Sequence, residues 1–202
     1  MRRQAQLRAA RPDLTVVGVR GTVEARLAQL DAGDVDALVL AKAGLERLGL
    51  ADRMVRELAP EVMLPGAGQG IIGAVCRADG DVLRLLRAAD DAEAHVAAAA
   101  ERAALDVVDA ASEGGRPPLG VLMAREDACA DGAGGGWVLR AVLARPDGSS
   151  VARVTLPAPS ETMDECTVAD AVELGRAAGA ALLRAQAEDA DAAAAARNAA
   201  AS

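Results

Sequence analysis

The sequence predicts an α/β chain in two parts, a parallel α/β piece followed by a small α+β unit with a three-stranded antiparallel sheet. Three observations carry that expectation. Short apolar runs alternate with helical patterns over residues 1–90, the order expected of parallel strands joined by crossover helices. Three closely spaced strand candidates follow, with one helical pattern before and one after them. A strong turn, Pro146-Asp147-Gly148, separates the last two.

Thr15-Val16-Val17-Gly18-Val19 reads as a buried strand closed by Arg20-Gly21. Thr22 is the N-cap of a helix to about Asp31, with Val23, Leu27 and Leu30 on its apolar face. Ala32-Gly33-Asp34 ends that helix, and Asp36-Ala37-Leu38-Val39-Leu40-Ala41 is the next strand. Leu45, Leu48 and Leu50 then lie on a short helical segment. The turn-rich break Leu64-Pro65-Gly66-Ala67-Gly68-Gln69-Gly70 leads into a third strand, Ile71-Ile72-Gly73-Ala74-Val75-Cys76. A long Ala-rich helix spans 91 to about 111, with Val96, Ala100, Ala103, Ala104 and Val107 at helical spacing. After a Gly/Pro-rich loop at 113–118 come strands near 119–124, 137–144 and 151–156. A last helix over roughly 168–187 packs back through Val172, Leu174, Ala178, Leu182 and Leu183. The boundary is placed near 88–91, giving units 1–90 and 91–187. The Ala-rich tail 188–202 is expected to be frayed helix or disordered.

Composition narrows the function. The chain has 202 residues, 52% of them hydrophobic, with no Phe, no Tyr and Trp137 as its one aromatic. Single-strand nucleic-acid binding relies on aromatic stacking platforms, which this composition lacks. Net charge is −8, yet residues 1–60 hold ten Arg or Lys against eight Asp or Glu. A locally basic segment in an acidic protein points to a small anion, and away from nucleic acid. Cys76, Cys129 and Cys166 form no CxxC, and His95 has no companion at metal-ligand spacing, so no metal site is expected. A reducing compartment fits free thiols. No charge-free apolar run of 18 residues exists, so no membrane span is expected.

The chemistry-bearing stretch is Val19-Arg20-Gly21-Thr22-Val23-Glu24-Ala25-Arg26-Leu27, where a strand end meets a helix start. Ligands of open α/β sheets bind beyond the strand carboxyl ends, and helix starts offer free N–H groups and a positive dipole end. Arg20 and Arg26 either converge on one bound carboxylate or are solvated, with Arg26 paired to Asp31 or Glu24. Arg2 and Arg3 in Arg2-Arg3-Gln4-Ala5-Gln6-Leu7 read, taken alone, as an exposed basic helix turn, and Arg47 is ambiguous. Lys42, His95, Glu101 and Asp106 read as surface residues. The Gly66–Gly70 loop lacks the Gly-Lys-Ser/Thr of a P-loop. No Ser/His/Asp set or carboxylate pair stands out.

In order and spacing, these segments resemble the porphobilinogen deaminase (hydroxymethylbilane synthase) family. The matching pieces begin with Arg2 to Leu7, Arg11-Pro12-Asp13-Leu14 and Arg20 to Leu27. They continue with Leu30 to Gly33, Asp36 to Leu45, Arg47-Leu48-Gly49-Leu50 and Leu64 to Gly70. Gly73 to Arg77, Ala100-Glu101-Arg102-Ala103 and the Pro146-Asp147-Gly148 hairpin complete the set, so the resemblance covers about Arg2 to Leu183.

The resemblance implies a remnant of a periplasmic-binding-protein-like parallel α/β domain, mostly the family's domain 2 plus a return strand of domain 1. The C-terminal domain of the family would follow. It implies a transferase of tetrapyrrole (haem or chlorophyll) biosynthesis, condensing four porphobilinogen units to hydroxymethylbilane with release of ammonia. Its partners are porphobilinogen and linear pyrrole intermediates, its cofactor is dipyrromethane, and it is usually monomeric in the cytoplasm or plastid stroma. Arg2, Arg3, Arg20, Thr22, Arg26 and Arg47 match the positions that hold pyrrole carboxylates. Three departures are expected to matter. The family's catalytic aspartate belongs to an N-terminal portion not seen here, so no catalytic residue is assigned. The cofactor-bearing cysteine is absent, its position taken by Ser112 or Arg116. Thr22 stands where Asn is usual. The chain is thus expected to be catalytically impaired, the alternative being a non-catalytic paralogue or fragment that binds pyrrole carboxylates or a partner chain.

Overall fold

The computed structural model describes residues 1–78, 80–112, 115, 117–126, 136–160 and 165–200. In chain order the elements are α1 (Arg2–Ala10), α2 (Val23–Asp31), α3 (Lys42–Arg47), α4 (Asp81–Arg87), α5 (Ala92–Ala110), β1 (Leu119–Arg125), β2 (Trp137–Ala144), β3 (Val151–Pro157) and α6 (Val168–Ala200). The three strands form one antiparallel sheet in the order β1-β2-β3. Helices and sheet together make an α/β chain.

The core lies where α5 and α6 cover one face of the sheet. Strand alternation sends Leu119, Val121 and Met123 of β1 and Leu139, Ala141 and Leu143 of β2 to that face. There they meet Val96, Ala100, Ala104 and Val108 of α5 and Ala171, Ala178 and Leu182 of α6. With mostly small aliphatic side chains in this layer and Trp137 only at its border, burial comes from close approach of backbones. A Cβ at Gly175 of α6 would lie 2.1 Å from the Ala100 carbonyl oxygen of α5, and one at Gly179 would lie 2.8 Å from the Val107 Cβ. The opposite sheet face is covered too, since Gly120 packs under Leu64 and beside Val142.

Helix N-caps follow the sequence. Thr22 Oγ1 accepts from the Ala25 N–H at 3.3 Å, and Asp91 Oδ1 accepts from the Ala94 N–H at 3.0 Å. The turn at 145–150 closes the β2–β3 hairpin, with Gly148 at φ 81, a conformation that favours glycine. The last helix runs on to Ala200, beyond the expected end near 187. Residues 188–200 contain no Gly or Pro, and their abundant Ala has the highest helix propensity, so nothing locally stops the helix.

The expected parallel strands at 15–19, 36–41 and 71–76 are not formed; among the described residues the only sheet is the antiparallel one. A strand exists only through the ladder it shares with a neighbour, and these runs have none. Some of their apolar residues are correspondingly uncovered: Val17 is exposed, Ile72 is 87% exposed and Val75 99%.

One buried charge joins the segments. Glu101, expected at the surface of α5, is only 3% exposed. Its Oε1 accepts from the Met123 N–H of β1 at 2.9 Å and its Oε2 from the Gly68 N–H at 2.7 Å. Beside it the Pro65 carbonyl accepts from the Val121 N–H at 2.9 Å. Gln6 of α1, 1% exposed, donates to the Leu64 carbonyl at 3.1 Å and accepts from the Leu64 N–H at 2.9 Å. Burial pushes the Glu101 carboxyl above the usual carboxylate range, against the opposing pull of the two N–H donors.

Two outcomes are expected. Gly→Ala inside a helix ordinarily stabilises by about 0.5–1 kcal/mol. Gly175→Ala instead drives a Cβ into the α5 backbone and should destabilise by about 1–3 kcal/mol, read as a lower urea midpoint at unchanged slope. For Glu101, the folded state holds the proton more tightly than the unfolded chain. Its contribution to stability is therefore full below the unfolded pKa and is lost as pH rises through the folded one. The Tm of the natural chain relative to Glu101→Gln should fall as pH is raised above the ordinary carboxylate range. A relative Tm that rises there would contradict the sign.

Candidate anion-binding site

The basic end of the molecule is built on α1. Arg2-Arg3-Gln4-Ala5-Gln6-Leu7-Arg8-Ala9-Ala10 consists of strong helix formers, and Pro12 stops it by forcing Arg11 out of the helical region (φ −142, ψ 77). Its side chains tie the helix to four other segments. Arg3 donates to the Val39 carbonyl at 3.2 Å, and Arg8 to the carbonyls of Val16 at 3.0 Å and Pro146 at 2.9 Å. The buried Gln6 holds Leu64.

Arg2 is the exception. It makes no hydrogen bond or ion pair, and its Nε is buried without a partner among the described residues. Its guanidinium lies against Gly66, where a Cβ would fall 2.0 Å from Nη1. A side chain at position 66 would push the guanidinium out of this place. Burial first, and the Arg3 charge second, disfavour the cationic form of Arg2. Both arginines also sit at the positive end of the α1 dipole, with no acidic residue in its first turn. Arg2, Arg3 and the start of α1 thus bring two guanidinium groups to a positive dipole end.

The second cluster of expected residues surrounds the start of α2. Gly21 (φ 115) turns the chain, Thr22 caps the helix, and Arg26 folds back so that its Nε donates to the Gly21 carbonyl at 2.9 Å. Arg26 thus pairs with neither Asp31 nor Glu24; Asp31 is taken by Arg53 at 2.5 Å. Arg20 and Arg47 are exposed and unpaired among the described residues. The clusters are neighbours through their scaffolds: Gly18 lies beside the Gln4 side chain of α1, and Gly44 of α3 beside Val23 of α2.

The remaining candidates fall into place simply. Lys42 forms an exposed ion pair with Glu57 at 2.6 Å, and His95 and Asp106 are exposed. Ser112 donates its hydroxyl to the Val108 carbonyl at 2.8 Å, closing the end of α5. Arg116 and Cys129 lie outside the described residues. Cys76 is half-buried and Cys166 sits in the core. Among the described residues no cluster of three His, Cys, Asp or Glu could hold a metal ion, and no helix is long and apolar enough to cross a membrane. Sequence reasoning missed Gln6, Glu101 and the role of loop 64–70. Only the glycines and proline of that loop, which permit close backbone approach, signalled it.

Comparisons with known proteins place this chain among relatives of one family. The family model described as porphobilinogen deaminase, dipyromethane cofactor binding domain, matches residues 1–84, the stretch that carries every arginine of both clusters. The porphobilinogen deaminase of Roseiflexus castenholzii is 50% identical over 123 residues, 60% of this chain and 40% of that protein. That of Sorangium cellulosum is 44% identical over 154 residues, 76% of this chain and 48% of that protein. That of a further Roseiflexus species is 42% identical over 185 residues, 91% of this chain and 57% of that protein. The chain spans about half the length of these curated relatives. With similarity at this level running through nearly all of its own residues, the chain belongs to the porphobilinogen deaminase family.

Proposed function

We propose that this chain serves tetrapyrrole biosynthesis as the carboxylate-holding part of a hydroxymethylbilane synthase, a transferase, and that by itself it binds pyrrole acids without joining them. The observation that carries the reading is Arg2, a partly buried guanidinium with an orphaned Nε, wedged against Gly66 at the positive end of α1. An unpaired buried donor is costly, and a ligand carboxylate would satisfy it by a charge-assisted hydrogen bond. Arg3, Arg20, Arg26 and Arg47, with Thr22 fixing the start of α2, supply further donors for a ligand with several carboxylates. Porphobilinogen and the linear pyrroles built from it carry acetate and propionate arms of that kind.

Covalent retention of dipyrromethane does not fit this chain. A thioether needs a thiolate, and residues 109–118 contain no cysteine. The Ser112 hydroxyl is bonded back into α5. The reading is therefore non-covalent binding by one monomer in the cytoplasm or plastid stroma. It also includes a division near residue 90 and a periplasmic-binding-protein-like layer for the first part. Supporting that layer, Val17, Ile72 and Val75 are strand-type residues left exposed, as they would be in a sheet awaiting further strands.

Calorimetric titration of the full chain with porphobilinogen tests this reading. Binding should weaken as salt is raised, and Arg2→Ala should weaken it about tenfold, the scale of one charge-assisted hydrogen bond. Intact mass should be unchanged after incubation, with no porphobilinogen consumed. A covalent pyrrole adduct or turnover would overturn the binding-only reading. Absence of binding would overturn the site.

A further inference from the structure

Glu101 is chemically out of place as a structural residue. A nearly fully buried carboxylate normally has a cation beside it, yet among the described residues Glu101 has none and spends both oxygens on two backbone N–H groups from different segments. Gly68 belongs to the loop after Leu64, and Met123 to the outer edge of β1. A glutamine at this position offers one acceptor oxygen and would turn an NH2 toward the other N–H, so only a carboxylate can hold both. The loop so held is also fixed at its other end, where Leu64 is paired to Gln6 of α1 and Pro65 to Val121. Between those two anchors lies Gly66, the residue against which the Arg2 guanidinium rests.

We propose that Glu101 is a positioning residue for the Arg2 anion site, clamping loop 64–68 against β1 so that Gly66 confines the guanidinium. The proposal rests on Arg2 being the ligand-binding group. Glu101 itself does not touch the ligand. Its effect passes through two links, the Gly68 N–H and the Gly66 backbone. The clamp ties the occupancy of a site on α1 to the packing of α5 on the sheet. When the loop is released, Arg2 gains room to turn away, and the pre-organisation of its donors is lost.

A double-mutant cycle with porphobilinogen as the probe, on the full chain, decides it. Glu101→Gln should weaken binding at least about fivefold when Arg2 is present and less than about twofold in the Arg2→Ala background. An equal loss in both backgrounds would show a merely structural role and overturn the proposal, as would unchanged affinity in Glu101→Gln. Should Glu101→Gln fail to give a cooperative melt, Gly66→Ala makes the same test from the loop side with Glu101 intact. It should weaken binding at least about fivefold only when Arg2 is present, and unchanged affinity would again overturn the proposal. Failure of the natural chain to bind porphobilinogen would remove the site itself. Binding that is sensitive to Arg2→Ala but not to Glu101→Gln or Gly66→Ala would remove only the role of Glu101.

Discussion

The outer edge of β1 is the constraint around which the molecule is arranged. An antiparallel edge strand turns every second N–H away from its partner, and those groups must find acceptors or water. Here the outward N–H groups of Val121 and Met123 are taken by the Pro65 carbonyl and the Glu101 carboxylate. Neither acceptor is part of a strand. A loop and a helix side chain thereby do what a fourth strand would do, and the same loop is brought over the sheet to meet α1. Gly120 permits the approach, since a Cβ there would collide with Leu64 and Val142. Arg140 reinforces the seam by bridging Glu61, just ahead of the loop, and Glu126, just past β1.

From this seam the basic end follows. With Leu64 fixed, Gln6 has a backbone unit to pair with, and α1 is held by one buried amide and by arginines that reach the carbonyls of segments 15–19, 36–41 and 145–150. Arginine serves in α1 in two physically distinct ways. Arg3 and Arg8 spend their donors on protein carbonyls, while Arg2 retains its own. That difference in engagement is not revealed by residue type alone.

What the sequence disclosed tracks how local each cause is. The caps at Thr22 and Asp91, the apolar stripe of α5 and the turn at Pro146-Asp147-Gly148 are set by nearby residues, and α2, α5 and the three antiparallel strands stand close to where the pattern put them. The apolar runs at 15–19, 36–41 and 71–76 have equally good strand composition, but their outcome depends on a neighbour that local pattern cannot supply. Glu101 stands among Ala-rich neighbours beside Arg102, a composition typical of a solvated helix face. Its burial follows from a loop that lies 33 residues earlier in the chain. Gln6 is hidden for the same reason. The arginines stand out as candidates through the family resemblance, whereas the unpartnered Nε of Arg2 is seen only in the fold.

The absence of Phe and Tyr has an optical consequence. Trp137, at the start of β2, is the only side chain of this protein that absorbs and emits strongly in the near ultraviolet. It is half-buried and borders a shallow groove with Gln69, Ile71, Glu101 and Met123. Emission from this chain is thus a single-site signal, and its one source stands at the seam between loop 64–71, α5 and the sheet. Motions of residues 1–60 that leave the seam intact are dark, while any parting of the loop from β1 exposes the indole to water and shifts its colour.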